Sequence, residues 1–127
     1  MARPHFITHA MFGQSIIQLS QHNRGDLRFL LSEIVATFGL ILVVALSGKK
    51  NVRATPAAVV LYITSAYWCT SSTSFANPVV TIARSLTNSF SGIYWKSTLG
   101  FIVTQVLGAI AAFACCKLLG RHRAEAA

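Results

Sequence analysis

The sequence predicts an all-α membrane protein with three transmembrane helices and one re-entrant half-helix. Three observations support this. Of 127 residues, 54% are hydrophobic and 11% charged, with mean hydropathy +0.57, whereas a soluble domain carries about a quarter of charged residues. The basic residues stand in short clusters between apolar runs, so the net charge of +8 reads as a membrane-topology signal and not as a nucleic-acid footprint. Finally, one helix is too short to cross. Asn77-Pro78 marks a helix start, and a helix from there to about Ser91 is about 20 Å long against about 30 Å of hydrocarbon. Such a start lies at membrane depth only where protein or water meets its free N–H groups.

Residues 1–28 read as an N-terminal remnant and loop, with Met1 to Asn23 either extracellular or an incomplete span. They lack the continuous apolar core of a signal peptide, being broken by Pro4, His5, His9 and Gln14. The membrane unit is expected over 29–127. Its first span, about 29–47, is interrupted only by Ser32, Glu33, Thr37 and Gly39 and ends at Gly48-Lys-Lys-Asn-Val-Arg53. Pro56 suits the first turn of a second helix over about 57–70, where Tyr62, Tyr67 and Trp68 supply interface or pore-mouth aromatics. A polar stretch, Thr70 to Ser74, precedes the half-helix at about 77–91. The last span, about 98–119, measures about 33 Å and ends in Lys117, Arg121, His122 and Arg123.

The basic clusters test this layout. Lys49, Lys50 and Arg53 share the cytoplasmic side with Lys117, Arg121 and Arg123 only if an even number of crossings separates them. Two spans satisfy that condition, whereas a crossing at Asn77 makes three, so the short helix is expected to re-enter and the C-terminus to be cytoplasmic. Arg24, Arg28 and Lys96 then lie outside near span ends. That weakens the bias and leaves insertion in both orientations open.

Asn77 can cap the half-helix with its side-chain oxygen, while Pro78 at the first helical position lacks an N–H that would otherwise be unpaired. The remaining amide donor of Asn77, beside the positive end of a helix dipole, suits a passing neutral polar molecule and disfavours cations. Glu33 is the sole acid within an expected span and hence a functional candidate. Gly100, Thr104, Gly108, Ala112, Cys116 and Gly120 recur every four residues, a small-residue stripe for close helix packing. Cys69, Cys115 and Cys116 lie in apolar surroundings without metal spacing, and His5 and His9 have no third ligand nearby. With no nucleophile constellation or acid–base pair, the expectation is a non-enzyme without cofactor or metal.

Ser74-Phe-Ala-Asn-Pro-Val-Val-Thr-Ile-Ala-Arg84 resembles the pore loop of the aquaporin (major intrinsic protein) family. Leu31-Ser-Glu-Ile-Val-Ala-Thr-Phe-Gly-Leu40 resembles the start of the first helix of an aquaporin repeat. From about His9 the chain is similar to the C-terminal half of bacterial members, so the resemblance implies one aquaporin-type repeat in a bacterial inner membrane. In this family two inverted halves each supply an Asn-Pro-Ala half-helix, and the two asparagines meet in the pore. The resemblance implies that Asn77, Pro78 and Val79 form the pore motif, that Val80, Arg84 and Ser65 are candidates for the filter or pore lining, and that Glu33 braces the loop.

Two departures bear on the solute. Val79 stands where the family usually has alanine, and Val80 stands where many members carry a filter arginine. Both imply a wider, less polar constriction, suited to water and small neutral solutes such as glycerol or metalloid acids. No first Asn-Pro-Ala segment is present, so the expected partners, beyond lipid, are a complementary N-terminal half or a second, antiparallel copy. A split-gene fragment without transport activity, a secondary transporter and a nonconducting assembly protein that binds through the Gly100–Gly120 stripe are the alternatives.

Overall fold

The computed structural model describes residues 10, 11, 13 and 19–125, with side chains as far as Gly120. Most of the expected N-terminal remnant, including His5 and His9, lies outside them. The described elements are helical: α1 (Leu27–Lys50), a short 3-10 turn (Val52–Ala54), α2 (Thr55–Cys69), α3 (Pro78–Ser85) and α4 (Trp95–Glu125).

Among the described residues, two helices are long and apolar enough to cross a membrane, the 24 residues of Leu27–Lys50 and the 26 of Trp95–Gly120. The expected third span is shorter: α2 has 15 residues, about 22 Å. It ends because Thr70 turns extended, its N–H and hydroxyl both bonding the Ala66 carbonyl. Both long helices outrun the expected 29–47 and 98–119, since nothing in Leu27-Arg28 or Trp95-Lys96-Ser97 opposes helix. Lys49 and Lys50 complete the last turn of α1, where cations favour the dipole. The half-helix is shorter than the expected 77–91. It has eight residues, about 12 Å, because the Arg84 and Ser85 carbonyls accept from Ile93 N–H and Ser20 N–H instead of from the next helical turn.

Helices α1 and α4 run parallel and carry the main contact. A methyl added at Gly108 would lie 2.6 Å from the Ile34 carbonyl oxygen and 3.2 Å from Thr37 Cβ, and one at Gly100 would lie 3.3 Å from a Leu30 methyl. The small-residue stripe therefore faces α1 of the same chain along Gly100, Thr104, Gly108 and Ala112. At Gly120, beyond it, an added methyl meets none of the described residues within 4 Å. Helix α2 crosses back along α1, its Tyr62 hydroxyl donating to the Ala36 carbonyl at 3.0 Å across space left by Gly39.

Polarity is distributed as in a lipid-facing protein. Glu33, Ser72, Thr81 and Gln105 are buried, whereas Leu31, Val35, Leu61, Leu99, Leu107 and Phe113 are exposed. Water would penalise that apolar exterior, and hydrocarbon would not. The apolar core is correspondingly small, with Phe75, Ile93 and Phe101 packed against Phe29, Leu30 and Val80.

Candidate functional site

Everything around α3 is organised by the segment that leads into it. Thr73, Ser74 and Ala76 have φ of 63°, 45° and 46°, the left-handed region that costs a residue with a Cβ on the order of 1 kcal/mol. The conformation turns successive amides toward one acceptor. Glu33 Oε1 accepts from the Ser72 hydroxyl at 2.6 Å and Phe75 N–H at 2.9 Å, while Oε2 accepts from Ala76 N–H at 3.0 Å and Gln105 Nε2 at 2.7 Å. Each carboxylate oxygen thus meets two donors. Charge-assisted bonds of this kind are the strong ones, so a fully buried carboxylate is retained by holding the loop.

Gln105 ties the brace to α3, because the same Nε2 also donates to Thr81 Oγ1 at 2.9 Å, and Thr81 donates on to the Asn77 carbonyl at 3.0 Å. Asn77 Oδ1 accepts from Val79 N–H at 2.9 Å and closes the first turn. Helix α1, the loop, α3 and α4 are therefore joined through Glu33 and Gln105. Reasoning from sequence missed Gln105; its one available signal was a polar amide in the middle of an otherwise apolar span.

Arg24 has a role that its expected position near a span end did not announce: it is buried and its guanidinium donates to the carbonyls of Gly92 at 2.9 Å, Ser72 at 3.1 Å and Phe90 at 2.8 Å. One side chain thereby clamps the strand entering α3 to the loop leaving it. Burial lowers its pKa, the Glu33 charge opposing that shift. Arg24→Gln should free at least two of these carbonyls. Loss of about 2–4 kcal/mol in a detergent-denaturation titration is expected, with faster protease cleavage between residues 86 and 94.

The other expected site residues fall in distinct places. Asn77, Pro78 and Val79 are exposed, Val79 at 58%, and among the described residues the Asn77 side chain is an acceptor with no donor bond recorded. Val80 is half-buried against the Phe75–Ile93–Phe101 cluster, one position round the helix from Val79. Arg84 lies over the Phe75 ring, 4.3 Å from its centroid, and reaches Thr73 Oγ1 at 3.3 Å, so it is anchored to the entering loop. Ser65 is exposed on α2 and donates to its own helix at Leu61. Cys69, Cys115 and Cys116 are free thiols.

The chain is similar to aquaglyceroporin AqpS of Rhizobium meliloti (strain 1021), with 43% identity over 113 residues, 89% of this chain and 48% of that protein. The chain thus spans about half the length of the curated relative it matches. No family model matches, and no solved structure does.

Proposed function

We propose that this chain, a member of the aquaporin (major intrinsic protein) family by that match, supplies one wall of a channel for passive passage of water or small neutral solutes. The observation that carries the reading is the Asn77 half-helix start, exposed at its tip and braced from behind by Glu33 and Gln105. In the bilayer the loop 70–77 enters, α3 returns to the same side and α2 completes a third crossing with bilayer thinning at its ends. The relative's name, aquaglyceroporin, agrees with the lack of an arginine at Val80 and points to glycerol-sized solutes. The basic clusters at Lys49–Arg53 and Lys117–Arg123 support a cytoplasmic C-terminus, and the family resemblance is the support for a bacterial inner membrane.

The exposed face of α3 implies a second wall. Val79 and Ile82 stand open beside Asn77, and lipid cannot meet the polar groups at a helix start. A complementary half or an antiparallel second copy closes that side. The Gly100–Ala112 part of the stripe is already packed on α1, which counts against the reading of an assembly protein that binds through it.

Stopped-flow light scattering tests the reading. Proteoliposomes holding this chain together with the portion of the aquaglyceroporin it does not cover should shrink and refill in a glycerol gradient faster than empty vesicles, and Asn77→Leu should remove the difference. Flux from this chain alone would identify the second copy as the other wall. A folded, associated pair with only the permeability of empty vesicles would overturn the channel reading.

A further inference from the structure

At the basic end of the molecule the contact between α1 and α4 opens. Beyond Ala112 the two helices separate around a cavity of about 460 Å³ lined by Ile41, Ala45, Lys49, Phe113, Cys116 and Lys117. Its walls are apolar over two turns of α1, and its two lysines, Lys49 and Lys117, are the last lining residues of α1 and α4. Neither has an acidic partner among the described side chains. The chain contains three acids, of which Asp26 pairs with Arg28 at 2.9 Å and Glu33 is engaged at the opposite end of α1. Lys50 and Arg53 add exposed positive charge beside the groove.

We propose that this groove is a binding site for one anionic phospholipid, its phosphate between Lys49 and Lys117 and an acyl chain along Ile41, Ala45 and Phe113. Charge and depth select this occupant. Anionic headgroups are the counterions concentrated at a membrane surface, and each lysine near that surface contributes on the order of 1 kcal/mol to holding them. A zwitterionic lipid would fill the apolar slot with the same phosphate but bring its own ammonium beside the lysines, so it adds no net charge to balance theirs. The inference requires only that the chain lies in a bilayer, so it stands apart from whether the protein conducts.

Electron paramagnetic resonance of spin-labelled lipids around the full reconstituted chain tests it. In phosphatidylcholine vesicles, spin-labelled phosphatidylglycerol should be immobilised in preference to spin-labelled phosphatidylcholine by about thirtyfold, the scale expected for two lysines. Lys49→Gln with Lys117→Gln should bring the ratio near one, Lys49→Arg with Lys117→Arg should keep it, and Lys50→Gln with Arg53→Gln should leave most of it. Ala45→Phe fills the slot with the lysines intact and should also abolish it. A ratio near one in the unaltered chain, or equal losses for both glutamine pairs, would overturn the proposal. So would displacement by millimolar inorganic phosphate alone, which would identify a free-anion site. A disulfide-linked dimer through Cys116, formed equally in both lipids, would put a second copy in the groove and overturn it as well.

Discussion

Glu33→Ala is expected to be the most damaging single substitution in this chain, lowering resistance to denaturation by about 3–5 kcal/mol. The carboxylate accepts two backbone amides, a hydroxyl and the Gln105 amide. Alanine leaves those donors facing each other without an acceptor. The left-handed turns at Thr73, Ser74 and Ala76 then lose what compensates their strain. The readout is a denaturant titration in detergent, accompanied by rapid proteolysis between residues 70 and 77 while the helices remain. Glu33→Gln separates charge from geometry. One of its two positions would carry an NH₂ group facing two donors, a conflict that rotation of the Gln105 amide, whose Oε1 is otherwise unpartnered, relieves on one side and rotation of the Ser72 hydroxyl on the other, leaving one backbone N–H without an acceptor in either case. A loss about half that of alanine is expected. If Glu33→Ala leaves loop proteolysis unchanged, the brace does not hold the loop.

Gly108→Leu is expected to separate α1 from α4. Even a methyl at this position would lie 2.6 Å from the Ile34 carbonyl oxygen, and backbone cannot yield as a side-chain tip can. A cost of about 1–3 kcal/mol is expected from overpacking alone for Gly108→Ala, and more for leucine. The damage should reach the candidate site. Ile34 adjoins Glu33, and Gly108 lies one turn from Gln105, so moving the helices apart lengthens the 2.7 Å Glu33–Gln105 bond. Glu33→Ala and Gly108→Leu should therefore be less than additive. Gly120→Leu is the control, because a methyl added there meets none of the described residues within 4 Å, and its stability should match the parent. Equal losses at Gly108 and Gly120 would contradict the packing argument.

Legibility varied with the physics of each element. The long apolar runs of α1 and α4 read directly, because about 20 consecutive apolar residues have few alternatives to a membrane-length helix. Asn77-Pro78 also read directly, since capping is a local interaction between neighbours in sequence: Asn77 Oδ1 bonds Val79 N–H. The end of α3 did not. Ser85 and Arg84 give up helical bonding to accept from Ser20 and Ile93, and no pattern near Ser85 announces partners that distant. The bonding of Arg24 was hidden for the same reason: in the sequence it is a charge at a span boundary, and only the folded chain brings three carbonyls to it.

From sequence alone came the membrane-like composition, the two long helices, the capped half-helix start, the family resemblance and the suspicion that Glu33 supports the loop. These rest on local bonding, composition and motif order, which survive without knowledge of the fold. Only the tertiary structure decided that Gln105 shares the brace, that Gly108 packs on Ile34 and Thr37, that Val80 turns toward the core while Val79 stays exposed, and that a groove lined by two lysines opens beyond Ala112. Each of these depends on which residue faces which across helices far apart in sequence. That relation is set by packing distance, and a single chain of letters does not carry it.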